Sequence, residues 1–243
     1  GPGGGYSDIP GATGLNYQPG PISVNTWFRR VATAPPCPDM NSNYVMIRVS
    51  PTPVITSPLT RTICSGTSVN YNPVSNVAGS TFTWTAVVTS GTVNGLVASG
   101  TGSINTVLSL PAGSTTSSTV TYTITPTGPA TTFCPGVPSD LVVTIDPTPI
   151  VTNAPMSQDI CAGAVTTPVV WQSNVTGATF SWTASAPAGI SGYQASGTGD
   201  LPAMQVFSTL MAMGTLTYTV IPTGPAPSSC PGTPATYTIN IYP

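Results

Sequence analysis

The stretch ITPTGPATTFCPGVP at Ile124–Pro138 returns 96 residues later as VIPTGPAPSSCPGTP at Val220–Pro234. A phrase repeated at a fixed offset means one structural unit written twice, and each unit must fit within roughly that length. Other phrases keep nearly the same spacing. PTPVITSP (Pro51–Pro58) returns as PTPIVTNAP (Pro147–Pro155), and ICSG (Ile63–Gly66) as ICAG (Ile160–Gly163). TFTW (Thr81–Trp84) returns as TFSW (Thr179–Trp182), and ASGTG (Ala98–Gly102) recurs at Ala195–Gly199. The expected units are therefore 51–146 and 147–243, with 1–50 standing apart.

Within a unit the hydrophobic pattern alternates with period two. STVTYTIT (Ser118–Thr125) sets Val120, Tyr122 and Ile124 on one face and threonines on the other. LVVTI (Leu141–Ile145) does the same with Leu141, Val143 and Ile145, and Phe82 and Trp84 alternate with threonine in TFTWT. Alternation of β-branched and aromatic residues reads as half-buried strands. The 25 Gly and 28 Pro punctuate the chain too often for long helices. About seven short strands per unit predict an all-β protein built of tandem immunoglobulin-like sandwiches.

The first fifty residues follow another text. TWFRRVATA (Thr26–Ala34) and NYVMIRV (Asn43–Val49) read as the last two strands of a sandwich, so 1–50 is expected to be the C-terminal part of a truncated immunoglobulin-like domain. With no initiator Met and no signal-peptide pattern, the chain is expected to be a window on something longer, and GPGGG at the start a flexible spacer.

Only 4% of residues are charged, against about 25% in an average soluble domain. The chain has no Lys, Glu or His; its ions are six Asp and Arg29, Arg30, Arg48 and Arg61. Four bases cannot pattern a phosphate backbone, so no nucleic-acid partner is expected. No run approaches 18 apolar residues, so no membrane-spanning helix is expected. Without His or Lys neither a Ser-His-Asp triad nor a Ser-Lys pair can be assembled. The Asp residues, at 8, 39, 140, 146, 159 and 200, are too scattered for a glycosidase pair. No catalytic residue, metal site or cofactor is expected, and the chain reads as a non-enzyme. A junction calcium would need several carboxylates; Asp146 has no acidic neighbour, and Tyr242 takes its place in the second copy.

Cys64 and Cys134 frame one unit, Cys161 and Cys230 the other. Placed just before the second strand and just after the sixth, each pair is expected to form one bridge per domain, Cys64–Cys134 and Cys161–Cys230, worth roughly 4 kcal/mol in the chain-entropy model. Metal binding is the weaker alternative, since no C-x-x-C and no His is present. Bridges imply export to an oxidising compartment. Cys37 is the odd cysteine, and its partner is expected outside the fragment. Among the aromatics, Trp84 and Trp182 face inward by the alternation. Trp171, set approximately opposite Asn72, and Tyr193 are the candidates for an exposed ligand contact. NVT at Asn174–Thr176 is a formal glycosylation acceptor.

The pattern PTP-I-t…IC-G…tf-W…asGtG…YtitPtGpa…C-G-p resembles the PKD-like repeats of giant secreted surface proteins of Bacteroidota. YSDIPGATGLNYQPGPISVNTWFRRVAT resembles the end of the immunoglobulin-like repeats that alternate with them. The resemblance, which extends to SprB-type gliding-motility adhesins, implies export across the bacterial outer membrane by the type IX system and a place at the cell surface. The expected function is a stalk or filament segment presenting an adhesive region, its partners being neighbouring repeats of the same chain, with surface polysaccharide or the export machinery as further candidates. A carbohydrate-binding module, or spacer repeats beside a secreted hydrolase, are the alternatives. The proline-rich links DPTP (Asp146–Pro149) and SPTP (Ser50–Pro53) predict a rod of stacked domains.

Overall fold

The computed structural model describes residues 5–243. Gly1–Gly4, most of the expected spacer, lie outside the described residues. Every named element is a strand.

The N-terminal segment carries β1 (Thr26–Phe28), β2 (Val31–Ala34), β3 (Cys37–Asn41) and β4 (Val45–Ile47). β1 pairs antiparallel with β4, and β2 with β3. All of β2, β3 and β4 is exposed, including Val31, Val45, Met46 and Ile47.

The first repeat holds β5 (Thr60–Cys64), β6 (Thr67–Ser68), β7 (Thr81–Ser90), β8 (Ser99–Thr101), β9 (Val107–Leu108), β10 (Ser118–Thr127) and β11 (Ser139–Asp146). The second holds β12 (Ser157–Cys161), β13 (Thr179–Ser185), β14 (Ile190–Ser191), β15 (Ser196–Thr198), β16 (Phe207–Ser208), β17 (Gly214–Thr223) and β18 (Ala235–Tyr242). The main sheets have orders β5-β11-β10-β7-β8 and β12-β18-β17-β13-β15, the same order twice. Against each lies a thinner layer, built on β6–β9 in the first repeat and β14–β16 in the second and extended by bridges such as Tyr71↔Ile104 and Val169↔Leu201.

The alternation read from the sequence sets the core. Val120, Tyr122, Ile124, Leu141, Val143 and Ile145 are all fully buried, and meet Val69, Ile104 and Leu108 from the opposite layer. Each such aliphatic side chain contributes about 1.5–3 kcal/mol by leaving water. Trp84 lies edge-on to Tyr122, with ring centroids 5.5 Å apart, and Trp182 repeats this on Tyr218 at 5.5 Å. Both indoles need a glycine opposite. A Cβ at Gly100 would collide with the Trp84 ring, and one at Gly197 with the Trp182 ring, so ASGTG recurs because the neighbouring strand must leave room for Trp. Phe82 and Phe180 are only half-buried, at the rim of the cores.

One pairing places the cysteines. β5 runs parallel to β11, with Cys64 beside Asp146, and β12 runs parallel to β18, with Cys161 beside Tyr242. Each hairpin-turn cysteine thus lies at the exit end of its repeat.

Candidate functional site: the junction between the repeats

The chain leaves β11 at Asp146 and crosses to the second repeat through Pro147-Thr148-Pro149. On the first-repeat side the turn after β5 is tied to this exit. Ser65 N–H donates to the Asp146 carbonyl at 2.8 Å, and Gly66 N–H to the Leu108 carbonyl at 2.8 Å. Gly66 has φ 83, a left-handed turn position that glycine adopts without a Cβ penalty. The Asp146 carboxylate accepts from Ser117 Oγ.

On the second-repeat side the loop Pro225–Thr233 folds onto the chain just past the linker. Thr233 N–H donates to the Pro149 carbonyl at 3.0 Å, while Gly224 N–H and Gly232 N–H close the loop on the Cys230 and Pro222 carbonyls, each at 2.8 Å. Gly232 has no room for a side chain, since a Cβ would strike the Pro149 oxygen and come within 2.6 Å of Pro222 Cγ. The C-P-G triplet therefore holds Cys230 at the entrance of its repeat, facing the exit of the one before.

The two cysteines are joined. Cys64 and Cys230 form a disulfide with Cα atoms 5.5 Å apart, across 166 residues of sequence. Cys134 and Cys161 are free, as is the exposed Cys37. The expected pairing within each domain is thus replaced by a bridge between domains, for a geometric reason. Cys134 precedes the start of β11, whereas Cys64 lies beside its end. At about 3.3 Å per residue those ends are more than about 20 Å apart, well beyond the reach of about 4.4–6.8 Å between bridged Cα atoms. Cys161 and Cys230 are separated in the same way along β18.

A second tie crosses the junction. Asn174 Oδ1 accepts from Ile150 N–H at 2.8 Å, and Asn174 Nδ2 donates to the Ser114 carbonyl of the first repeat at 2.9 Å. Asn76 makes the first of these contacts with Val54 N–H, also at 2.8 Å. Sequence reasoning passed over Asn174 except as a glycosylation acceptor, although the recurrence of SNV at Ser75–Val77 and Ser173–Val175 marks it. Its amide nitrogen is engaged at the junction.

The candidate ligand aromatics do not converge here. Trp171 is 5% exposed, packed edge-on to Tyr237 at 5.6 Å and tilted against Phe180 at 6.4 Å. Aligning the SNV triplets places it opposite Pro73 rather than Asn72, and Pro73 is an inward-facing position. Tyr193 is half-buried against the core of the second repeat. Its neighbour Tyr218 is buried, its hydroxyl donating to the Gln194 carbonyl at 3.3 Å. Burial, with a smaller contribution from Tyr193, pushes the Tyr218 phenol up to about 12. Burial also raises the Tyr122 and Tyr237 phenols.

A model of the PKD-like domain matches residues 61–149 and again 158–243. The chain belongs to the PKD-like domain family. Residues 3–51 match a domain of unknown function (DUF8696). No curated protein matches the sequence. Solved structures similar to this PKD-like chain include the protocadherin GammaB4 extracellular domain, at 15% identity and a TM-score of 0.37, covering 90% of this chain and 39% of that one. The chicken CNTN1 FN1–FN3 domains are 12% identical over 89% of this chain and 75% of theirs, with a TM-score of 0.37. The Clostridium thermocellum CbhA fibronectin(III)-like modules are 11% identical over 79% and 93%, with a TM-score of 0.28. This chain thus spans about two fifths of the protocadherin chain. These likenesses say nothing of what the PKD-like modules bind.

Proposed function

We propose that the chain is a non-catalytic stalk segment of a long extracellular surface protein, in which PKD-like modules are stacked for length and tied at their junction. The observation that carries this reading is the Cys64–Cys230 bridge, which spans two modules instead of stapling either one. A bridge so placed resists separation and bending of the modules, as a load-bearing stalk needs. The Asn174–Ser114 hydrogen bond and the prolines of the linker act in the same direction. A disulfide persists in oxidising surroundings, which supports export.

On this reading the modules occupy 51–146 and 147–243, and 1–50 is the C-terminal part of an immunoglobulin-like domain whose exposed apolar strands are covered by residues outside this chain. The resemblance to Bacteroidota repeats extends the proposal to a type IX-exported adhesin of the cell surface, with gliding motility as its setting and neighbouring repeats as its first partners. The carbohydrate-binding reading loses its support, because Trp171 is buried and Tyr193 half-buried. Small-angle scattering of the oxidised chain tests the stalk. An elongated profile with modules end to end is expected, and a compact, folded-back particle would overturn it.

A further inference from the structure

We infer that the junction bridge repeats along the chain, with Cys161 as its hairpin-turn half and Cys134 as its loop half, each bonding to a cysteine of a neighbouring module. Cys161 receives the C-P-G loop cysteine of a PKD-like module stacked after the second repeat. Cys134, itself the loop cysteine, bonds to a hairpin-turn cysteine of a module on the N-terminal side of the first repeat. Both Cys161 and Cys134 are free in this chain, yet each occupies the position of a residue that is bridged in the other repeat.

The match is atomic. The Cys64 turn is held by Ser65 N–H on Asp146 O at 2.8 Å and Gly66 N–H on Leu108 O at 2.8 Å; the Cys161 turn by Ala162 N–H on Tyr242 O at 2.8 Å and Gly163 N–H on Val206 O at 2.7 Å. Gly66 and Gly163 share φ 83. The Cys230 loop has Gly224 N–H on the Cys230 carbonyl at 2.8 Å, and the Cys134 loop has Gly128 N–H on the Cys134 carbonyl at 2.9 Å. The preceding residues have φ 47 at Ser229 and φ 48 at Phe133. Thr233 N–H meets Pro149 O as Val137 N–H meets Pro53 O. Asn76 already makes the Asn174-type contact, its Oδ1 accepting from Val54 N–H as Asn174 Oδ1 accepts from Ile150 N–H. Both halves of a bridge that forms once are thus preset at the two outer ends of the pair, and Cys161 is exposed there.

Forming the bond joins two thiols into one disulfide and releases two protons and two electrons. A small-molecule or protein disulfide accepts them and becomes two thiols. The PKD-like domain is matched only twice in this chain, in which Cys161 and Cys134 are free and their counterparts Cys64 and Cys230 bond to each other.

The test extends the full chain by joining residues 52–146 after Pro243, which stands where Pro147 stands in the first repeat. Cys134→Ser in the original copy and Cys64→Ser in the appended copy leave both bridges unambiguous. After refolding in a glutathione redox buffer, non-reducing peptic mapping should show Cys161 bonded to the appended Cys134, alongside Cys64–Cys230. Cys161→Ser should abolish the first bridge and leave the second. Cys161 left as a thiol or capped by glutathione, or the appended Cys134 bonded elsewhere, would overturn the inference while Cys64–Cys230 shows that the modules folded. Loss of Cys64–Cys230 itself would remove its template and overturn it as well. The result is independent of the stalk reading, since a new bridge in a chain with a compact scattering profile would uphold the one and sink the other.

Discussion

Replacing either half of the junction bridge should weaken the two modules unequally, and the inequality follows from where the bridge lies. The bond closes a loop of 166 residues that passes through both modules. When one module unfolds beside a folded neighbour, the closed disordered loop is about half that length. In the chain-entropy model the bridge then opposes this first step by about 4.6 kcal/mol. Unfolding the second module only doubles an existing loop, which adds about 0.6 kcal/mol. In differential scanning calorimetry, Cys230→Ser should therefore lower the first transition by about 20–35 °C, at roughly 4–8 °C per kcal/mol for a module of this size. The second should shift by only a few degrees. Cys64→Ser should give the same profile, because both substitutions delete one shared bond. Bridges confined to single modules would make Cys64→Ser act on the first repeat and Cys230→Ser on the second. Two non-superimposable profiles would refute the reasoning.

Gly197→Ala should destabilise the second module by about 1–3 kcal/mol through overpacking against the Trp182 ring, seen as a fall in that module's melting temperature alone. Asn174→Asp keeps the acceptor for Ile150 N–H and deletes the donor to Ser114, so it should cost about 1 kcal/mol of junction stability in denaturant titration. The Tyr218 phenol titrates near its ordinary value of 10.0 when unfolded and at about 12 when folded. Stability from keeping it neutral is thus fully present below pH 10 and is lost as pH rises from about 10 to 12. Tyr218→Phe should remove this group's share of the alkaline decline in calorimetric scans, and an unchanged decline would refute its assignment to Tyr218.

Much of the fold was legible because the physics behind it is local. Alternation in Ser118–Thr125 and Leu141–Ile145 placed six side chains that are all fully buried, whereas the ASGTG phrase read only as a repeat marker with turn glycines and is in fact the strand beside each tryptophan. The disulfide partners were not legible, because spacing says which strands carry cysteines but not which end of the sheet each occupies. That depends on the parallel pairing of β5 with β11, a non-local contact with no signature in either segment. Trp171 misled for a related reason. Its segment lies in a loop-rich layer with weak periodicity, and a one-residue shift in alignment turned an inward position into an outward one.

The central claim is that the two PKD-like modules are covalently joined at their junction, and a non-reducing disulfide map of the oxidised chain tests it most directly. After alkylation of free thiols and digestion, the account predicts one cross-linked peptide pair containing Cys64 and Cys230, with Cys37, Cys134 and Cys161 alkylated. Peptide pairs joining Cys64 to Cys134 and Cys161 to Cys230 would contradict it.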